Sequence, residues 1–157
     1  MQLDAIDLKI LDALQKDADQ KVSEIAEKAG ISTTPCWRRI QKLEEAGVIR
    51  RRVVLLDRVA LNAGVTVFIS IRTNRHTLEW LEKFKKAVKD IPEIVDIYRM
   101  SGEIDYLLKV YVADIAGYDA VYKKLISRID LSDVTSMFAM EELKATTEIP
   151  LALRRGR

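Results

Sequence analysis

The stretch from Val22 to Ile49 constrains the fold of this chain more than any other, because its pattern predicts two short helices joined by a tight turn. Gly30 supplies the conformational freedom that a helix end needs, and Ser32 can cap the helix that follows. In that second helix apolar residues recur at i, i+4 and i+7, which gives one buried stripe: Cys36, Ile40 and Leu43. The spacing predicts a helix-turn-helix.

The other faces of the second helix carry hydroxyl, amide and basic side chains, which suit the base edges and phosphates of a major groove. Trp37 adjoins the buried stripe, so packing is its plainer interpretation and a contact at the edge of an interface is the alternative. The candidate DNA-contacting residues are Ser32, Thr33, Thr34, Trp37, Arg38, Arg39, Gln41, Lys42 and, after the helix, Arg51.

The small net charge of +2 conceals an uneven distribution along the chain. Residues 1–29 hold four Lys/Arg against seven Asp/Glu, a balance of −3, whereas residues 30–52 hold six against two, a balance of +4. Exposed helices carry charge in most proteins, so the cluster alone indicates little. Its coincidence with the turn and the helix cap favours a face that binds duplex DNA.

Length and composition predict a small cytoplasmic protein of one or two domains. The 157 residues include no apolar run long enough to span a bilayer, and the first residues lack the apolar region of a secretion signal. One cysteine cannot form an internal disulfide, which fits a reducing compartment.

The chain divides into two predicted domains and a hinge. Asp4 can cap a first helix that reaches Gln15, so residues 1–50 form a three-helix DNA-binding domain. Residues 51–64 serve as strand and hinge, with Arg50–Leu56 as a short strand. Residues 65–150 form the second domain, and residues 151–157 are a basic tail that we expect to be solvated.

The second domain shows the order β-α-β-β-α-β, the split arrangement of ferredoxin-like folds. Its helices follow the capping residues Thr77 and Asp114. The second of them carries an apolar stripe at Ile115, Tyr118, Tyr122, Leu125 and Ile129. The predicted strands are Val65–Ile71, Ile94–Met100, Ile104–Val112 and Val134–Met140, with a possible edge strand within Lys144–Pro150. The fold class is therefore α+β.

Two helices can cover one face of such a sheet, which leaves the other face bare. Phe68, Tyr98 and Leu107 alternate onto that second face. An apolar face of this kind indicates association with another copy of the chain.

Two segments carry a resemblance to a known family. TTPCWRRIQKLEEAGVI (residues 33–49), followed by SGEIDYLLKV (residues 101–110), resembles the Lrp/AsnC regulators and, among them, a subgroup that includes the cysteine-responsive DecR proteins. The resemblance covers nearly the whole chain. It implies a sequence-specific transcriptional regulator of amino-acid metabolism with a ferredoxin-like RAM domain. It also implies dimers that assemble to tetramers, octamers or higher, with an amino-acid effector bound between dimers and no cofactor.

The turn around Gly102 is the candidate effector site. Peptide N–H groups beside this glycine can hold a carboxylate, Asp105 can accept hydrogen bonds from an α-ammonium group, and Thr135 and Ser136 can supply hydroxyls. The plainer alternative is that Gly102 only makes a hairpin turn, which Asp105 caps. With the positions that the resemblance adds, the candidate effector residues are Met100, Ser101, Gly102, Asp105, Tyr106, Thr135, Ser136, Met137, Phe138 and Ala139.

Enzyme activity is not expected, and no catalytic or metal-binding residue is predicted. His76 and Cys36 are the single histidine and the single cysteine, far apart in the sequence, and the phosphate-binding and zinc-protease motifs are absent from it. His76 is expected to be merely exposed. Two other functions remain open at this stage: an architectural protein that wraps DNA with little sequence preference, and a metabolite-sensing module of an enzyme.

Overall fold

The computed structural model describes residues 1–153, which form two compact units. The first unit comprises Met1–Leu55 together with the segment that begins at Lys144, and the second is Leu56–Leu143. Residues 154–157 of the predicted basic tail lie outside the described residues. Within the described part of the chain, no helix has the length and apolar character needed to cross a membrane.

The first unit contains three α-helices, as the sequence predicted: α1 (Ala5–Lys16), α2 (Val22–Ala29) and α3 (Thr33–Glu45). A 3-10 helix at Leu151–Leu153 occupies the start of the segment that the sequence predicted as a solvated tail. Asp4 caps α1 by accepting hydrogen bonds from the peptide N–H groups of Ile6 and Asp7. The helices enclose a small core in which every predicted stripe residue of α3 is buried. Its largest members are Ile10, Leu14, Ile25, Ile40 and Leu43.

Gly30 makes the turn between α2 and α3. Its φ of 75° lies in the left-handed region, where a side chain would be strained. The N–H groups of Gly30 and Ile31 then bond back to the carbonyl oxygens of Glu27 and Ala26, which ends α2 and directs the chain into α3. This local geometry is the turn of the predicted helix-turn-helix.

The second unit has the predicted βαββαβ order. Its elements are β1 (Val65–Arg72), α4 (Leu78–Lys89), β2 (Ile94–Arg99), β3 (Tyr106–Val112), α5 (Ile115–Arg128) and β4 (Asp133–Phe138). The strands form an antiparallel sheet in the order β2-β3-β1-β4, and the two helices contribute their buried residues to the core of this unit.

Alternation along the central strands separates the two faces of the sheet. Val67, Ile69 and Ile71 are fully buried in the core with α4 and α5. The opposite face carries Phe68 of β1 and Leu107 of β3. It also carries Tyr98 of β2, which is the cross-strand partner of Leu107. The prediction of one covered and one open face is therefore confirmed by the strand register. The open face presents partly exposed apolar side chains.

Two predicted strands are wrong. Among the described residues, neither Arg50–Leu56 nor Lys144–Pro150 forms a strand. The physical reason is that a strand requires the backbone of a second strand as its hydrogen-bonding partner, and no described strand pairs with either segment. The later segment was assigned to the second domain by sequence, but it clusters with the first unit. There the side-chain amide of Gln15 exchanges two hydrogen bonds with the backbone of Ile149, at 3.0 and 3.2 Å.

The predicted apolar stripe of α5 begins one turn too early. Ile115 is 74% exposed because the helix starts at this residue, directly after its cap Asp114, and the first turn faces solvent. Val121 is fully buried instead, together with Leu125.

Candidate DNA interface and effector site

The exposed side of α3 lies opposite its buried stripe. Thr33, Thr34, Arg38 and Lys42 are all exposed, and Arg38 and Lys42 form no ion pair with any residue that the structure describes. Ser32 precedes the helix and is exposed, and its hydroxyl makes no capping bond, contrary to the predicted side-chain cap. These groups can reach base edges and phosphates in a groove.

Arg39 does not join that exposed side, which corrects its prediction as a DNA contact. Its Nη1 lies 2.7 Å from Oδ2 of Asp4 and 2.7 Å from Oδ1 of Asp7, on α1 and its cap. The reason lies in the helix period: Arg39 is three residues after Cys36 and four before Leu43, both fully buried, so it borders the buried stripe. The two carboxylates hold the pKa of the Arg39 guanidinium above its usual value.

The other predicted members of the DNA face have mixed environments. Gln41 is half-buried and its amide lies 3.4 Å from a carboxylate oxygen of Glu44. Trp37 is 52% exposed, so the packing interpretation explains only part of its surface. Arg51 is exposed in the segment after α3.

The turn between β2 and β3 is built around Gly102. Its φ is 121°, and nothing lies within 4 Å of the position that a Cβ would occupy. The glycine is therefore explained by the backbone conformation of the turn, because no neighbour crowds it. Met100, Ser101 and Gly102 are all exposed.

Asp105 is half-buried directly before β3, and hydrogen bonds hold both its backbone and its side chain. Its N–H donates to the carbonyl oxygen of Ile71 and its own carbonyl oxygen accepts from Met100. Oδ2 of its carboxylate accepts from the N–H of Thr73 at 2.7 Å, while Oδ1 lies 3.9 Å from Nδ1 of His76. One carboxylate oxygen is thus fixed by the backbone and the other faces a histidine.

Thr73 and His76 are the neighbours of Asp105 that sequence reasoning missed. They precede it by about thirty residues, and only the antiparallel register between β1 and β3 brings them together. His76 is exposed as predicted, yet its position beside Asp105 had no signal in the sequence.

The predicted residues of β4 alternate between the two faces of the sheet. Thr135 pairs with Ser70 and Met137 with Phe68, so these two lie on the open face. The hydroxyl of Ser136 is hydrogen-bonded to that of Tyr118 on α5, and the ring of Phe138 packs edge-on against the Tyr118 ring at 5.1 Å. Ala139 follows the strand and donates its N–H to the carbonyl oxygen of Thr66.

Tyr106 is a further correction, because its side chain is buried in the core. Its ring packs against Phe84 at 4.5 Å and Trp80 at 5.6 Å between centroids. It is 8% exposed and occupies the face that the helices cover, since β alternation turns it away from the open face. A direct contact with an effector on the open face or at the Gly102 turn is therefore excluded for this ring.

The candidate effector residues consequently form two groups within one chain. Met100, Ser101, Gly102 and Asp105 cluster at the β2–β3 turn, whereas the β4 residues lie at the opposite edge of the sheet. Asp105 donates its N–H to Ile71 at the end of β1, so only β1 lies between Asp105 and β4, and each strand spacing is about 4.8 Å. The exposed turn residues Met100, Ser101 and Gly102 therefore lie farther from β4 than Asp105 does.

Comparison with known proteins identifies both units. The family model for winged helix-turn-helix DNA-binding domains matches residues 3–50. The family model for the Lrp/AsnC ligand-binding domain matches residues 66–149. The glutamate uptake regulatory protein of Zymomonas mobilis is 51% identical over 96% of this chain and 92% of its own length. The DNA-binding transcriptional activator DecR of Escherichia coli is 44% identical over 95% of this chain and 99% of its own.

Solved structures show the same similarity. An AsnC family transcriptional regulator from Agrobacterium tumefaciens is 59% identical with a TM-score of 0.93, covering 96% of this chain and 98% of that one. A transcriptional regulator from Neisseria meningitidis, solved as a complex with L-Met, is 34% identical with a TM-score of 0.90 and covers 96% and 97%. The chain belongs to the Lrp/AsnC family of DNA-binding transcriptional regulators.

Proposed function

We propose that this protein regulates genes of amino-acid metabolism by binding duplex DNA through α3 and an amino-acid effector through its sheet unit. One observation carries the DNA part: the exposed side of α3 presents Thr34, Arg38 and Lys42 without competing ion pairs in the described structure. Family membership and relatives that are transcriptional regulators support the same function. A chromosomal target would place the protein in the cytoplasm.

The proposed DNA face comprises the exposed residues of α3 and its flanks. Its N-terminal residues would enter the major groove, with Ser32 donating to a phosphate and Arg38 reaching base edges. Arg39 is left out because its Nη1 is held by two carboxylates at the border of the buried stripe. The proposed members are Ser32, Thr33, Thr34, Trp37, Arg38, Gln41, Lys42 and Arg51.

The effector would bind at the β2–β3 turn. Oδ1 of Asp105 is the acceptor in reach of an α-ammonium group, because Oδ2 is already fixed by the N–H of Thr73. The exposed N–H groups around Gly102 are donors for the α-carboxylate. A regulator of 34% identity was crystallised with L-Met, which supports an amino acid as the ligand class.

A second copy of the chain would complete this site. The turn residues Met100, Ser101 and Gly102 are exposed, whereas a small-molecule site buries most of its ligand. The apolar residues Val53–Leu56 are also exposed, at 58–81%, as is part of the open sheet face. Surfaces of this kind favour self-association, so we propose a dimer that assembles further, with the effector between dimers.

The experiment for the DNA part uses a duplex that the wild-type protein selects from a random-sequence pool. Arg38→Ala should lower the affinity for this duplex by about 1–3 kcal/mol if Arg38 reads a guanine, with relaxed preference at one base pair. Lys85→Ala, on the exposed side of α4, is the control. Unchanged binding by Arg38→Ala would contradict the proposed face. Equal affinity for every sequence in the wild type would favour the architectural alternative.

The experiment for the effector part is a thermal-shift screen against the twenty amino acids. The best ligand should raise the melting temperature of the wild type, and Asp105→Asn should abolish the shift while it keeps an acceptor for the Thr73 N–H. Glu103→Gln is the matched control, since Glu103 is a highly exposed carboxylate in the same turn. A full response by Asp105→Asn would place the site elsewhere and leave Gly102 as a turn residue only.

A further inference from the structure

Arg39 differs from the other basic residues of α3, because its guanidinium is paired with carboxylates of the first unit. Its Nη1 lies 2.7 Å from a carboxylate oxygen of both Asp4 and Asp7, and its side chain remains only 32% exposed. The Asp7 side chain is 5% exposed, so this contact lies where α3 packs against the start of α1. The exposed neighbour Arg38 makes no such contact among the described residues.

Each of the two carboxylates uses one oxygen to cap α1 and the other to bind Arg39. Oδ1 of Asp4 accepts from the N–H groups of Ile6 and Asp7, and Oδ2 of Asp7 accepts from the N–H of Asp4. These bonds form the N-terminal cap of α1. The remaining oxygens, Oδ2 of Asp4 and Oδ1 of Asp7, both accept from Arg39. Every carboxylate oxygen of the pair therefore has a partner.

This arrangement ties the middle of α3 to the beginning of α1. A nearly buried carboxylate is strongly unfavourable without a counter-charge, so Arg39 cannot leave for a phosphate without leaving Asp7 unpaired. Apolar packing alone fixes the distance between helices better than their rotation. A charged contact with defined directions restricts that rotation as well.

We infer that Arg39 is a positioning residue, which ties α3 to the cap of α1 and thereby sets the orientation in which Arg38 and its neighbours meet the DNA. The inference rests on the proposed DNA face. It predicts that Arg39 contributes to sequence-specific binding without contacting a phosphate.

Salt dependence separates positioning from contact. Each phosphate that a side chain neutralises contributes about 0.9 to the slope of log K against log salt concentration. Binding to the selected duplex should therefore lose about one unit of slope in a variant that removes a phosphate contact. Arg39→Gln should lower the affinity about fivefold or more through a displaced base contact, yet keep the wild-type slope.

Specificity provides a second readout. A lost phosphate contact weakens binding to all sequences alike, whereas a misoriented α3 weakens the selected duplex more than a scrambled one. For Arg39→Gln we expect the ratio of these two affinities to fall. Circular dichroism at the assay temperature confirms that the variant is folded in each measurement.

Asp7→Asn gives the sharpest test because the two roles predict opposite directions. It removes a negative charge and releases Arg39, so a DNA-contacting Arg39 would bind more tightly. A positioning Arg39 would lose its anchor, and affinity for the selected duplex would fall. Asp4→Asn changes a half-exposed carboxylate, so it should lower the affinity for the selected duplex less than Asp7→Asn does. It provides the same test if Asp7→Asn does not fold.

Arg38→Ala separates failure of this inference from failure of the proposed DNA face. If Arg38→Ala changes neither affinity nor specificity, the DNA face is wrong. If Arg38→Ala weakens binding but Arg39→Gln loses about one unit of salt slope, or Asp7→Asn tightens binding, Arg39 contacts DNA and the positioning role is overturned.

Discussion

Cys36 shows how strongly the helix period decides the chemistry of a single side chain. It is fully buried in the core of the first unit, and burial raises the pKa of its thiol. The thiolate is the reactive form, so the same packing that shapes α3 suppresses oxidation. The sequence prediction that Cys36 lies on the buried stripe of α3 agrees with this environment.

We therefore predict that Cys36 is unreactive in the folded protein. A thiol reagent such as dithionitrobenzoate should modify it only as fast as the first unit opens, and rapidly in denaturant. Cys36→Ser should cost about 1–3 kcal/mol of unfolding free energy because it buries a hydroxyl. Rapid stoichiometric labelling of the native protein would contradict this prediction.

Asp4 should make the first unit sensitive to acid. The Asp7 N–H and then the Arg39 guanidinium hold its pKa below the ordinary value of 3.8. As the pH falls, the Asp4 carboxylate therefore takes up a proton in the unfolded chain before it does so in the folded one. The stability that the ionised Asp4 contributes is complete above pH 3.8 and is lost as the pH falls through the lower pKa of the folded protein. The stability gap between wild type and Asp4→Asn in urea should shrink from pH 6 to pH 3. For Gln2→Ala, which does not titrate, the gap should stay constant.

Arg39 marks the limit of what single positions reveal before a structure exists. Its residue type and helix suggested a DNA contact as readily as those of Arg38. Periodicity placed it beside the buried stripe, but the presence of Asp4 and Asp7 at that border depends on how α1 crosses α3. Tyr106 was misplaced for a different reason, because the alternation that puts Leu107 on the open face already turns Tyr106 to the covered face.

Helices and paired strands were predictable because each carries its own signal. Caps at Asp4, Thr77 and Asp114, and apolar alternation in β1 and β3, identified the elements and their order. The segments around Arg50–Leu56 and Lys144–Pro150 also look like strands locally. Whether such a segment becomes a strand depends on a distant partner, which local pattern does not encode.

The contact between Gln15 and Ile149 should determine the order of the segment that begins at Lys144. Gln15→Ala removes both hydrogen bonds and should cost at most about 1 kcal/mol, because the site is exposed. The Ile149 amide should nevertheless exchange with deuterium markedly faster. Gln2→Ala, at an exposed glutamine before α1, should leave that exchange rate unchanged. Equal protection of Ile149 in Gln15→Ala would show that apolar contacts hold the segment instead.

A dimer of this chain should read DNA as two half-sites on one side of the duplex. Two α3 helices related by a two-fold axis require half-site centres about 34 Å apart or a multiple of it. Inserting five base pairs between the half-sites should lower affinity, and inserting ten should restore much of it. A binding curve indifferent to spacing would indicate independent protomers.

Effector binding should change how many copies assemble rather than reshape the helix-turn-helix. The turn residues Met100, Ser101 and Gly102 are exposed, so a second copy should complete the site, and the ligand should stabilise one assembly over another. Light scattering with and without the amino acid identified by thermal shift should show a change in mass. Asp105→Asn should show none, and an unchanged wild-type mass with a bound ligand would contradict this mechanism.

The segment from Lys144 joins the first unit although about ninety residues separate it from Leu55. On the ribosome, α1, α2 and α3 leave the exit tunnel long before this segment does. The contact between Gln15 and Ile149 can therefore form only after the whole sheet unit has been synthesised. A DNA-binding fragment cut at Leu55 would therefore lack the later segment of the first unit and the hydrogen bonds between Gln15 and Ile149.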